Sequence, residues 1–328
     1  MSPGKSPQRP RIGLALGSGS ARGWSHIGVI RKLLEFGIVP DMVAGTSIGA
    51  LVGGAWVSGN LDPLENWVRG LQRADILRLM DARLSGGGFL RGERLMDAIS
   101  EHVENPDLSD LQPPFAAVAT DLDTGRELWL RSGPMLDAVR ASIALPGLFA
   151  PVHLEGRWLM DGGLVNPVPV SLCRAMGAEV VIAVNLNGDI VGRHFSPRPA
   201  GTDPKETSTN KSGSTSDADV SEDNDSLRQL FERLRSGFGT HLDSLISSLA
   251  QRKETAEPGL FDVLAGSINI VQDRLTRSRM AGDPPEVVIT PRLSSIRLME
   301  FDRAAEAIEG GIEAVSRARE DLEDVMER

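Results

Sequence analysis

Gly45-Thr46-Ser47-Ile48-Gly49 is a GxSxG between one apolar run at Asp41–Ala44 and another at Ile48–Val57. If the first run is a strand and the second a helix, the turn between them cramps the backbone of the serine. Gly45 and Gly49 then remove side chains that would clash there. Ser47 stands at the helix N-terminus with Ile48 beside it, where unpaired amides and the helix dipole favour developing negative charge. That is chemistry for a nucleophile attacking a carbonyl. The plain alternative is a Gly/Ser turn that lets a helix pack closely on a sheet.

A second candidate is Gly17-Ser18-Gly19-Ser20-Ala21-Arg22-Gly23, also between a short apolar run and a helical pattern. The amides of such a strand-to-helix turn point outward and bind anions. A dinucleotide fingerprint is the rival reading, but the spacing here is GxGxxxG rather than GxGxxG. Asp41, near the next strand, keeps the nucleotide alternative open. Taken with Ser47, the economical reading is an oxyanion hole, because neighbouring parallel strands bring both loops to one sheet edge.

A serine nucleophile needs a base. The chain order Ser…Asp/Glu…His of α/β-hydrolases leaves His194 or His241, which flank or lie in a weakly ordered stretch and make a poor platform. His26 and His153 read as structural histidines in a helix and a strand, and His102 carries no signal. The lysines are Lys5, Lys32, Lys205, Lys211 and Lys253, of which only Lys32 sits within the ordered pattern. Among the acids, Asp161-Gly162-Gly163 closes an apolar run directly before Asn166-Pro167-Val168-Pro169. Asp before Gly-Gly is often only a turn, so this carboxylate is a candidate on both readings.

The elements that must hold these residues follow from periodicity. Strands are expected at Arg11–Leu16, Asp41–Ala44, Phe115–Thr120, Glu127–Leu130, Glu179–Leu186 and Glu286–Thr290. Pro151–Leu154 and Arg157–Met160 read as a hairpin around Glu155-Gly156. Helical spacing at Ile27, Ile30, Leu33 and Leu34, stopped by Gly37, and again at Ile48–Val57, places crossover helices between strands. The expected fold is therefore α/β, a three-layer α/β/α arrangement with a mostly parallel central sheet. Phe301 to about Met326 reads as a charged amphipathic helix.

The chain has 328 residues with 35 Lys+Arg and 45 Asp+Glu, a formal charge of −10, which argues against a nucleic-acid partner. It has no Tyr, and its single cysteine, Cys173, excludes an internal disulfide and suits a reducing compartment. No Cys/His cluster points to structural zinc. Met1–Pro10 is polar and proline-broken, a flexible tail without the apolar core of a signal peptide. Met42–Leu61 is charge-free and long enough to span a bilayer, but its glycines and polar residues make it only weakly hydrophobic. Ser196–Asp225 is so rich in Ser, Thr, Asp, Asn, Pro and Gly that it is expected to be disordered. Beyond it, helical stripes run through Leu227–Leu249 and then Leu264, Ile268, Val271 and Leu275, which the sequence suggests pack on the core or a second subunit, or else cover a lipid site. The organisation is thus a tail at 1–10 and one domain at 11–328, interrupted by a linker at 196–225 and a helical insert at 226–280.

Together the segments GLALGSGSARGWSHIGVI (Gly13–Ile30), VAGTSIGALVGG (Val43–Gly54), ATDLDTG (Ala119–Gly125), ASIALPGLFAPV (Ala141–Val152), MDGGLVNPVPV (Met160–Val170) and RMAGDPPEVVITP (Arg279–Pro291) resemble the patatin-like phospholipases. The likeness is to the bacterial branch related to the neuropathy-target-esterase catalytic domain. The resemblance implies a Ser–Asp dyad without histidine or metal, with Ser47 as nucleophile and Asp161, in its Gly162-Gly163 motif, as base. It also implies that the loop Gly17, Ser18, Gly19, Ser20, Arg22 and Gly23 forms the oxyanion hole, with donors at Gly19 and Ser20 and Arg22 holding the loop. Many relatives have glycine where this chain has Ser18 and Ser20. The implied activity is hydrolysis of lipid or other acyl esters, without cofactor. The lack of a signal peptide and of a convincing span, with one cysteine, leads to an expected cytoplasmic location, peripheral contact with the inner face of the membrane staying open. Self-association stays open as well. A non-enzymatic regulatory or binding protein on an inactive scaffold is the alternative. For the dyad to work, Asp161 must be partly desolvated, because a carboxylate near pKa 4 is a poor base for a hydroxyl.

Overall fold

Apolar runs that end in Gly, Ser or Asp become strands: β1 (Ile12–Leu16), β2 (Met42–Thr46), β3 (Phe115–Asp121), β4 (Glu127–Leu130), β5 (Val152–Leu154), β6 (Arg157–Asp161), β7 (Val180–Val184) and β8 (Val287–Ile289). Each lies within two residues of its expected bounds. The computed structural model describes residues 9–79, 90–189 and 260–327, all within one compact unit made of 1–194 and 258–328. The 196–225 linker and the Leu227–Leu249 stripe lie outside the described residues.

Strands β3, β2, β1, β7 and β8 are parallel neighbours in that order. Every residue of β1, β2, β3 and β7 is buried, which is why these strands read as continuous apolar runs rather than alternating ones. Ile12, Leu14 and Leu16 face one layer, built from α1 (Ser25–Glu35), α2 (Ile48–Val57) and the Ala304–Arg317 helix. Ala15, with Ala44 and Val181, faces the other, where Leu172 and Cys173 of the Val170–Met176 helix close the core. The result is the three-layer arrangement.

The sheet is mixed because β4, β5 and β6 are antiparallel. The β5–β6 hairpin turns at Glu155 and Gly156, with φ of 50° and 78°. Two successive left-handed residues are what a two-residue hairpin requires to match the strand twist.

One detail of register sets the site. β4 pairs with β3 over Ala117–Thr120. β2 overlaps that stretch at Ala117 and Val118, and β6 overlaps it at Ala119 and Thr120. Both must therefore use the opposite edge of β3, where they lie end to end. Thr46 is level with Val118 and Asp161 with Ala119.

Two expectations are corrected. The C-terminal helix is broken: a short turn at Phe301–Arg303 is followed by helices Ala304–Arg317 and Arg319–Met326. The stripe Leu264, Ile268, Val271 and Leu275 does fall on one helix, Leu260–Gly282, and Ile268 lines a cavity, but the most buried positions of the helix are not those of the stripe. Leu264 and Val271 are exposed, while Gln272, Asp273 and Thr276 are buried. The surface beneath is polar, so polar side chains face it. The charge-free Met42–Leu61 stretch is β2, a turn and α2, and no described helix is long and apolar enough to cross a membrane.

Candidate active site

β2 ends at Thr46, whose hydroxyl donates to the Asn166 carbonyl at 2.9 Å, and α2 begins at Ile48. Between them Ser47 has φ 57° and ψ −125°, a conformation that costs a residue with a Cβ about 1–3 kcal/mol. Its surroundings impose this. The Ser47 amide donates to Ser142 Oγ at 2.8 Å, and that buried hydroxyl donates onward to the Val118 carbonyl at 2.6 Å. The Ser47 carbonyl accepts from the Ala50 and Leu51 amides. Gly49 is obligatory for close approach, since a Cβ there would lie 2.2 Å from the Leu16 carbonyl oxygen. At Gly45 it would meet Ala50 of the helix. Sequence reasoning missed Ser142; the only pointer to it was its place in the ASIALPG segment.

Asp161 is the last residue of β6 and is buried. Its backbone is pinned on both sides: its amide donates to the Ala144 carbonyl at 3.0 Å, and its carbonyl accepts from Thr120 Oγ1 at 2.8 Å. The side chain is pinned too, because Oδ1 accepts from the Gly163 amide at 2.7 Å and Oδ2 from Ser47 Oγ at 2.6 Å. Gly162 has no room for a side chain, since a Cβ would sit 2.2 Å from the Val118 carbonyl oxygen. Burial pushes the Asp161 carboxyl up to about 6, outweighing the two hydrogen bonds that pull it down. Such a group is still mostly ionised at neutral pH, yet about a hundredfold more basic than a solvated aspartate.

The glycine-rich loop narrows to two free donors. The amides of Gly17 and Ser18 are committed to the Val184 and Pro167 carbonyls at 3.1 and 2.8 Å, so neither can face an oxyanion. Gly23 has a packing role, because a Cβ there would collide with Ile48. Gly19 and Ser20 remain. Their amides have no acceptor among the described residues, and both residues line the cavity that holds Ser47 and Asp161. Ser20 takes φ 50°, the strained price of a side chain where glycine fits better. Arg22 is buried and reaches Asn269 Oδ1 at 3.3 Å. Burial lowers its guanidinium to about 10, so it remains a cation at neutral pH, close behind the loop. His26 holds the loop from below through Nε2 and the Gly17 carbonyl at 2.7 Å. Burial lowers that imidazole to about 4, which leaves it neutral and a structural donor.

None of the three described histidines lines the cavity. His102 stacks on Trp67 and His153 packs against Trp158, while His194 and His241 lie outside the described residues. Lys32 pairs with Glu35 on the outside of α1. Besides Ser47 and Asp161, the polar lining comes from Ser18, Ser20, Asn269 and Gln272. The rest is apolar, with Trp24, Leu51, Trp67, Leu71, Ile99 and Phe149 among the walls. Asn269 and Gln272 escaped the sequence reading because apolar periodicity drew attention to the other faces of their helix. A serine hydroxyl touching a buried carboxylate, next to free amides and at the polar end of an apolar cavity, is an arrangement that can cleave an ester of an apolar acid.

Residues 14–174 match the family model for patatin-like phospholipases. Uncharacterized NTE family proteins of Mycobacterium tuberculosis and Mycobacterium bovis are 38% identical over 96% of this chain and 92% of their own length. The chain belongs to the patatin-like phospholipase family. Lysophospholipase NTE1 of Mycosarcoma maydis is 39% identical over 53% of this patatin-like phospholipase and 10% of its own, much longer chain. Patatin-like phospholipase domain-containing protein 7 of Mus musculus is 33% identical over 53% of it and 13% of the mouse protein. Membership makes this chain a lipid ester hydrolase of the patatin type. Asn269 and Gln272 fall outside the 14–174 match.

Proposed function

We propose that this patatin-like phospholipase hydrolyses the carboxylic esters of phospholipids and lysophospholipids through a Ser47–Asp161 dyad and an acyl-enzyme. The observation that carries the reading is the 2.6 Å bond from Ser47 Oγ to the buried Asp161 carboxylate at the polar end of an apolar cavity. Ser47 Oγ attacks the ester carbonyl carbon as its proton passes to Asp161. The oxygen that gains charge is met by the Gly19 and Ser20 amides and by the field of Arg22. Each such donor typically contributes about 2.7–4 kcal/mol. The tetrahedral intermediate collapses, the bond to the alcohol breaks, and Asp161 returns the proton to that alcohol. A water then gives its proton to Asp161 and attacks the acyl-serine, and the proton returns to Ser47 as the fatty acid leaves.

The apolar walls receive the acyl chain, which contributes binding of roughly 0.8 kcal/mol per buried methylene. We place the enzyme in the cytoplasm, acting at the membrane surface. The exposed Val263, Leu264, Ile270 and Val271 on the Leu260–Gly282 helix support that contact.

Intact mass after fluorophosphonate treatment of wild type, Ser47→Ala and Asp161→Asn tests the dyad, with turnover of a short-chain ester measured alongside. A single adduct that disappears in Ser47→Ala, and turnover that disappears in both variants, is expected. A folded wild type with neither adduct nor turnover on micellar lysophospholipid would favour the inactive-scaffold reading instead.

A further inference from the structure

The most buried side chains of the Leu260–Gly282 helix are polar: Gln272, Asp273 and Thr276. Gln272 is only 4% exposed, on a helix that leaves Val263, Leu264, Ile270 and Val271 45–54% exposed. Burying an amide at the expense of aliphatic side chains is unfavourable unless the amide is used. Here both ends are placed. Oε1 accepts from Ser18 Oγ at 2.9 Å and from Asn187 Nδ2 at 3.2 Å. Nε2 lies against the acid turn: a Cβ on Gly163 would be 2.4 Å from Gln272 Nε2 and 3.0 Å from Asp161 Oδ1. One turn earlier, Asn269 takes the Arg22 guanidinium at 3.3 Å.

We propose that Gln272 is a positioning residue of the hydrolytic site, bridging the oxyanion loop at Ser18 to the Gly163–Asp161 turn so that donors and base keep a fixed separation. The 260–282 helix is then part of the catalytic machinery, although Gln272 follows Asp161 by 111 residues of chain. The proposal rests on the Ser47–Asp161 dyad put forward above. Arg22 on the loop, Asp273 with Arg277 on the helix, and Glu127 with Arg279 at the β4 edge are the charged groups packed around this junction. Only the Gln272 amide, among the described residues, is seen both to bond Ser18 and to lie against Gly163.

The test uses the full chain and a p-nitrophenyl butyrate assay from about pH 5 to 9, with melting curves, on wild type, Gln272→Glu, Gln272→Leu, Ser18→Ala and Ser47→Ala. Gln272→Glu has the shape of glutamine and is expected to fold. It should lower kcat about tenfold with KM little changed, the signature of lost transition-state positioning. It should also raise the acidic limb of kcat/KM by about one pH unit, because a second carboxylate beside Asp161 disfavours the ionised base. Gln272→Leu should lose kcat without that upward displacement. Ser18→Ala removes the other half of the bridge in a smaller change; it should lower kcat several-fold with the limb in place. If Gln272→Leu fails to fold, Gln272→Glu and Ser18→Ala still decide the matter. Rates within twofold of wild type and an unmoved limb in Gln272→Glu, while Ser47→Ala is inactive, would overturn the bridge and leave the dyad standing. A fully active Ser47→Ala would overturn the dyad, and this proposal with it.

Discussion

An Asp161→Asn variant should be inactive and, at neutral pH, more stable than wild type. The reason lies in the burial of the carboxylate. Its folded pKa of about 6 stands above the ordinary 3.8, so as pH rises past 4 the unfolded chain sheds this proton before the native chain does. Over that window the native state binds more protons, and stability falls with rising pH. The two-unit shift amounts to about 3 kcal/mol once pH exceeds the folded value, of which roughly 2 kcal/mol develops between about pH 4.5 and 7. Asparagine fills the same space, can accept from the Gly163 amide and can donate to Ser47 Oγ, but it never ionises. The measurement is urea unfolding of wild type and Asp161→Asn across that range, where other titrating groups cancel in the difference. The stability advantage of the variant should grow by about 2 kcal/mol from the acid to the neutral end. Parallel curves, with a constant difference, would refute the claim that Asp161 is a desolvated base. The same shift places the acidic limb of the wild-type rate profile near 6, since the ionised form is the base; a limb near 4 would contradict it independently.

Three further outcomes follow from contacts in the site. Ser142→Ala leaves the Ser47 amide and the Val118 carbonyl without their shared partner; it should cost about 1–3 kcal/mol of stability and slow fluorophosphonate labelling, and an unchanged labelling rate would remove Ser142 from the positioning of the nucleophile. Gly49→Ala puts a Cβ 2.2 Å from the Leu16 carbonyl oxygen, contact with backbone that cannot yield, so soluble expression or a melting temperature close to wild type would show the elbow is looser than described. Leu71→Trp fills the apolar end of the cavity and should depress turnover of long-chain esters about tenfold or more while sparing butyrate, and an unaltered chain-length profile would mean the acyl chain lies elsewhere.

Much of this site is legible locally. The GxSxG between an apolar strand and a helix singles out Ser47 as a candidate, because the cramped turn and the glycines that permit it are a matter of neighbouring residues. Strand positions are equally local, since a strand buried on both faces must be apolar throughout. The place of the glycine-rich loop beside Ser47 was visible, but not which amides are committed to structure: Gly17 and Ser18 donate to carbonyls on distant segments, at Val184 and Pro167. Ser142 carried no spacing signal at all. Helical periodicity misjudged the Leu260–Gly282 helix for a physical reason. Periodicity assumes that the buried face is the apolar one, whereas this helix seats over Ser18, Arg22 and Asn187, groups that need hydrogen-bonding partners.

The amino-acid order by itself determines which residues can react and which turns can present them, because sterics and hydrophobic periodicity act over a few residues. Asp161 could have been an ordinary Asp-Gly-Gly turn. Only the tertiary structure gives it the setting of the proposed base: β2 and β6 share one edge of β3 end to end, which brings together side chains 114 positions apart. Only the same packing removes water from the carboxylate and raises its pKa, since desolvation belongs to the surroundings of a group and not to its place in the chain.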